Sequence, residues 1–135
     1  MQRIRKIRDG HARRVLIVDA HVVSLAACAA LLRTEGCAVA EGAPGDDVIE
    51  LARAFGPDVL LIDPGPTAQC HQTALQLSSL DGMPPVLITS STDHARLHPL
   101  VRALPFLAKA DICAGAIARA LAAVFDDRAV ATESQ

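Results

Sequence analysis

The sequence predicts an α/β domain: a doubly wound, five-stranded parallel sheet in the order 2-1-3-4-5, with helices on both faces. Three observations predict it. Five short apolar runs alternate with segments of helical spacing, and Gly, Pro and Asp clusters separate them. The first, third and fourth runs are nearly unbroken Val, Ile and Leu, as strands buried on both faces require. Four polar residues, Asp19, Asp63, Thr89 and Lys109, end the first, third, fourth and fifth runs. With right-handed crossovers, that strand order puts these four ends on one rim beside the switch point, where sites form in open parallel sheets.

The elements follow in order. Residues 14–18 read as a buried strand ending in Asp19. A helix from His21 to Glu35 repeats Val22, Leu25, Ala29 and Leu32 at helical spacing, and Gly36 stops it. Residues 37–43 form a weaker strand. Asp46 is expected to cap a helix ending near Phe55, and Gly56-Pro57-Asp58 breaks it. Val59 to Ile62 is the strongest strand signal, and Pro64-Gly65-Pro66 leaves Asp63 at its end. A helix over about 68–80, a strand over 86–89, a helix over about 93–102 disturbed by Pro99, and a short strand over 106–108 come next. The last helix is expected from Ile112 to Phe125.

The chain has 135 residues, of which 51% are hydrophobic, enough for one core. Its parts read as a basic arm over 1–13, a domain over 14–125 and a polar, frayed tail over 126–135. The arm is the N-terminal side of a run of cations, Arg3, Arg5, Lys6, Arg8, Arg13 and Arg14, taken as a solvated segment. The net charge is -2 and the only aromatics are three Phe, so direct nucleic-acid binding is not expected. There is no span long enough for a membrane and no apolar run after the N-terminal charges, so a cytoplasmic protein is expected. Cys28, Cys37, Cys70 and Cys113 form no CxxC pair and read as reduced thiols. Cys70-His71, and His94 with His98, each lack the further ligands of a metal site. His21 is read as a polar residue of the first helical turn rather than a general base. The turn after the first strand, Asp19-Ala20-His21-Val22-Val23, has no glycine, which argues against a dinucleotide site.

Two carboxylates, a hydroxyl and an ammonium on one rim make a defined tool. Adjacent carboxylates favour a divalent cation between them, and Mg²⁺ suits an oxygen site that accepts a phosphate oxygen. One carboxylate then serves as nucleophile toward a phosphoryl group. Lysine and threonine bind the phosphoryl oxygens. Lys109 is one of two lysines in a chain with eleven arginines, and its compact ammonium fits a small phosphate site differently from a forked guanidinium.

At these residues the sequence resembles the receiver domains of two-component response regulators. Residues 15–21 (VLIVDAH) resemble the opening strand and acid pair, 57–63 (PDVLLID) the phosphoacceptor strand, 87–91 (LITSS) the switch-hydroxyl strand, and 106–110 (FLAKA) the final strand. The resemblance spans about Arg14 to Val124, and the last two motifs are most like receivers of the NarL/LuxR type. It implies a flavodoxin-like (βα)5 fold and a phosphoaspartate switch rather than an enzyme. Asp63 would be the phosphoacceptor. Asp19, Asp63 and the backbone carbonyl of Gly65 would hold Mg²⁺. Thr89 and Lys109 would bind the phosphoryl group, and the Phe106 rotamer would report the state of Thr89. A histidine kinase or phosphotransfer protein would be the partner. The predicted fourth helix, the fifth strand and the last helix would form a regulatory or homodimer face.

Three departures bear on that expectation. Ala20 stands where the family has a second, metal-contacting acid, so Mg²⁺ binding is expected to be weakened or lost. Thr67 stands where a proline is usual, with Pro64 and Pro66 reshaping the loop. Ala110 follows Lys109 in place of a proline. A pseudo-receiver, an interaction module independent of phosphorylation, is the alternative.

Overall fold

A computed structural model describes residues 13–65, 68–90 and 104–133. The strands are β1 (Arg14–Val18), β2 (Ala38–Gly42), β3 (Val59–Ile62), β4 (Val86–Ser90) and β5 (Phe106–Ala108). The helices are α1 (Val22–Thr34), α2 (Val48–Phe55), α3 (Ala68–Ser79) and α4 (Ala114–Glu133), with a 3-10 turn at Lys109–Asp111 before α4. The five strands pair in parallel in the order β2-β1-β3-β4-β5. The predicted fold class and strand order hold. The helix expected over 93–102, with His94 and His98, lies outside the described residues.

The pleat sorts the apolar runs into two cores. Leu16, Val18, Leu60, Ile62, Val86 and Ile88 pack with Val48 and Ala52 of α2 and Ala74 and Leu77 of α3. Val15, Ile17, Val59, Leu61 and Leu87 pack on the other face with Ala29 and Leu32 of α1 and Ile117 and Leu121 of α4. Because successive side chains point to opposite faces, a strand with helices on both sides has no polar row to show. The two edge strands are less enclosed: β2 exposes Ala38 and Glu41, and β5 is half-buried throughout.

Helix ends follow local chemistry. At the end of α1 the Gly36 amide donates to Arg33 O and the Cys37 amide to Leu32 O, each at 3.0 Å. Gly36 has φ +94°. This is a Schellman closure, and Cys37 and Leu32 meet in the same core, as that motif favours. The start of α2 differs from expectation. Asp47, not Asp46, is the cap, its carboxylate accepting from the Glu50 amide at 3.0 Å. Asp46 instead accepts from the Ala43 amide at 2.8 Å, closing the preceding loop. The last helix does not stop at Phe125. It continues to Glu133, since residues 126–133 contain neither Gly nor Pro to break it.

The last two cations of the basic run are tied into the folded domain, Arg13 among them although it falls within the arm expected over 1–13. Arg13 is buried, and its carbonyl accepts from Ala38 N. Arg14 donates through Nε and Nη2 to the Phe55 carbonyl at 3.1 and 2.7 Å, and its guanidinium lies 4.2 Å from the Phe55 ring centroid. It thereby satisfies a carbonyl at the C-terminus of α2, where a cation also meets the helix dipole favourably. Asp58 completes the joint. Its backbone amide donates to Arg14 O at 2.7 Å, and its carboxylate accepts from Arg14 N at 2.9 Å. Arg14→Ala is expected to lower stability by about 1–2 kcal/mol in urea unfolding. Arg14→Lys should recover less than half of that, because an ammonium cannot make the forked contact. A fully stable Arg14→Ala would show the joint to be ornamental.

Candidate functional site

Parallel register carries the pairing one step beyond the strand ends. The Asp63 amide donates to Val18 O at 2.9 Å and the Asp19 amide to Gly42 O at 3.2 Å. Asp19 and Asp63 are therefore neighbours at the carboxyl ends of β1 and β3. They are 3% and 4% exposed, and buried carboxylates need partners. Each has the same two. Asp19 Oδ1 accepts from the His21 amide and Asp63 Oδ1 from the Gly65 amide, both at 2.9 Å. These are Asx turns, in which an aspartate closes on the amide two residues on. Gly65 adopts φ +64°, a conformation in which a Cβ would be strained.

The second oxygens share one cation. Lys109 Nζ lies 2.7 Å from Asp19 Oδ2 and 2.7 Å from Asp63 Oδ2, and the lysine side chain is 13% exposed. Charge-assisted contacts of this length are the strong kind. Burial pulls the Lys109 pKa down. The hydrogen bonds to Asp19 and Asp63, with the charges of both carboxylates, together outweigh it and hold the pKa above its ordinary value. Lys109 is thus an ammonium at neutral pH. It reaches this place because β5 ends at Ala108 beside β4, and the 3-10 turn begins with the lysine itself.

Thr89 is 2% exposed, and among the described residues its hydroxyl has no hydrogen-bond partner. An unpaired buried hydroxyl costs about 1–3 kcal/mol, so it marks a place where a ligand oxygen would be welcome. Thr89 aligns with Leu107, whereas Phe106 aligns with Ile88, one residue earlier. Phe106 packs on the core that holds α2 and α3, with Leu104 and Met83. Ala20 is exposed at the rim beside Asp19 and presents only a methyl group. Pro66 and Thr67 lie outside the described residues. Burial pushes the Cys28 and Cys37 thiols up, so neither is poised as a nucleophile.

A magnesium ion fits this donor set poorly. The two carboxylates already hold a cation between them. Among the described residues no three His, Cys, Asp or Glu side chains converge as a metal group. At about 4 Å and an effective dielectric of about 20, a divalent ion and an ammonium repel by about 8 kcal/mol. Lys109 would have to move for the ion to enter.

The sequence puts Asp19, Asp63, Thr89 and Lys109 on one rim; the fold joins Asp19, Asp63 and Lys109 there, while β4 runs one residue past Thr89 to Ser90, which leaves Thr89 inside the strand rather than at its end. Sequence reasoning missed the amides of His21 and Gly65, although an aspartate two residues before a free N–H is the signal of an Asx turn. Asp58, which the sequence offers only as part of a breaker, is a buried partner of Arg14.

Among solved structures the chain is similar to the N-terminal domain of a response regulator/sensory box/GGDEF three-domain protein from Carboxydothermus hydrogenoformans. The TM-score is 0.64 at 17% identity, over 89% of this chain and 99% of that one. A mutant receiver domain of the histidine kinase CKI1 from Arabidopsis thaliana gives 0.57 at 14% identity, over 90% and 94%. The receiver fold is thus the fold of this chain. The anti-anti-sigma factor PhyR from Bartonella quintana gives 0.65 at 18% identity, with 98% of this chain matching 56% of that one. No protein-family model matches the sequence, and no curated protein matches it. Among the described residues no helix is long and apolar enough to cross a membrane.

Proposed function

We propose that this chain is a signalling receiver in which Asp63 accepts a phosphoryl group from a phosphohistidine on a kinase or phosphotransfer protein. The observation that carries the proposal is the contact of the buried Asp63 carboxylate with Lys109 beyond the ends of β3 and β5, with the unpartnered Thr89 hydroxyl one residue short of the end of β4, the strand between them. An Asp63 carboxylate oxygen attacks phosphorus, the P–N bond breaks, and the imidazole nitrogen leaves with the electron pair. Lys109 then turns from a carboxylate to the phosphoryl oxygens, and the Thr89 hydroxyl donates to another. Water later attacks phosphorus and restores the carboxylate. Beyond this turnover of its own aspartate the domain is a switch, not an enzyme.

The rim beside Asp19 supports a protein donor. Val22 and Val23, in the first turn of α1, are 77% and 84% exposed. With Ala26, Ala27, Ala30 and Leu31 they give α1 an uncharged outer face next to the acceptor, suited to the helix that bears a phosphohistidine. The Thr89-Ser90-Ser91 and Lys109-Ala110 sequences favour a NarL/LuxR-type setting with transcription as the output. A homodimer through β5 and α4 belongs to the same reading.

Ala20 favours a second reading, a pseudo-receiver that works by contact alone. Acetyl phosphate in magnesium buffer, read by intact mass, separates the two. The switch predicts a single phosphoryl adduct that Asp63→Asn abolishes. Folded protein without an adduct would instead support the contact-only module.

A further inference from the structure

We propose that Lys109 is the resident cation of the Asp19–Asp63 pair, and that Ala20 makes this pocket independent of divalent metal. The geometry supplies each part. Lys109 Nζ sits at 2.7 Å from one oxygen of each carboxylate, and a backbone amide holds the other oxygen of each at 2.9 Å. All four carboxylate oxygens therefore have a donor. Two carboxylates and one ammonium leave a single negative charge in the pocket. An acid in place of Ala20 would add a second negative charge at the exposed rim beside Asp19, and with it an oxygen ligand that does not compete with Lys109. Magnesium gives up its waters reluctantly and demands near-octahedral oxygen donors. Here it must either displace an ammonium or bind beside it.

Pro64 reinforces the closure. It has no backbone N–H, so the first amide after Asp63 is that of Gly65, and this amide is spent on Asp63 Oδ1. The carboxylate is tied from within its own turn and from Lys109, and the fold needs no metal to complete either contact.

Magnesium titration of the wild-type chain by calorimetry, with the melting temperature followed in parallel, tests this directly. The expected result is no saturable binding at roughly millimolar Mg²⁺ and an unchanged melting temperature. Ala20→Asp should bind Mg²⁺ about 10–100-fold more tightly and melt higher when it is added. Saturable sub-millimolar binding by the wild type, with a rise in its melting temperature, would overturn the proposal, whether or not Asp63 is ever labelled. Equal affinities for wild type and Ala20→Asp would overturn the role given to Ala20. Failure of acetyl phosphate to label Asp63 defeats the switch and leaves the Lys109 assignment standing, so the two ideas fail separately.

Discussion

Lys109→Met is expected to lower the unfolding free energy by about 3–5 kcal/mol, the usual cost of removing one partner from a buried ionic group. The substitution keeps the length of the side chain and removes its charge. It leaves two carboxylates, 3% and 4% exposed, facing one another with only one backbone amide each. Solvent screens such a pair weakly. Lys109→Arg keeps the charge but brings a larger, forked head into a space fitted to a single Nζ, so it should recover only part of the loss. The linkage to pH has a definite sign. The folded state holds the Lys109 pKa above 10.5, its ordinary value. A raised cationic pKa stabilises fully below the unfolded value and stops doing so as pH climbs through the folded one. Wild-type stability should therefore fall at pH above 10.5 by more than that of Lys109→Met, which has no such group to lose. Urea unfolding of both proteins at neutral and alkaline pH measures this. A mutant within about 1 kcal/mol of wild type at neutral pH would place the bridge among ordinary surface ion pairs.

That bridge also marks the boundary of what the sequence discloses. Strands announce themselves where burial on both faces demands unbroken Val, Ile and Leu, and the polar residues after them fall on the rim once the order of strands is known. Gly36 ends α1 as expected, because the left-handed closure needs a residue without Cβ. The choice between Asp46 and Asp47 is another matter. Adjacent aspartates carry the same capping chemistry, and only the path of the loop turns Asp46 back to Ala43. Arg13 and Arg14 close a basic run, and Arg13 looks like the end of a solvated arm because a charge count cannot see burial. Their place is fixed by β2, by Phe55 and by Asp58, all more than twenty residues away. The Lys109 contacts are likewise long-range, the lysine and Asp63 standing 46 positions apart in the chain. From sequence the carboxylates imply a cation between them. Only the fold shows that the chain supplies one itself.

Leu61→Ala is expected to cost about 2–5 kcal/mol and to reach the site as well as the core. Leu61 is fully buried, pairs with Leu87 and Ile17 across β3, and packs on the core shared by α1 and α4. Removing its side chain leaves a cavity between rigid strands and two helices, and strands held by neighbours on both sides cannot close it. Two residues on, along the same pleated face, stands Asp63. The cavity thus lies on the side of β3 toward which the chain turns the carboxylate that Lys109 grips. Ile62→Val makes the contrast. It removes one methylene from the opposite face, among Val18, Ile88 and the α2 and α3 residues. It should cost about 0.5–1.5 kcal/mol. Unfolding in urea, with unchanged m-values, gives both numbers. The coupling to the site is read by combining Leu61→Ala with Lys109→Met. If the cavity lets the carboxylate shift, the double mutant loses less than the sum of the single losses, since the Lys109 contact has already been weakened. Strict additivity would mean that the strand end holds Asp63 in place without help from the side chain below it. The backbone pair from Asp63 N to Val18 O would then be the support that positions the acceptor.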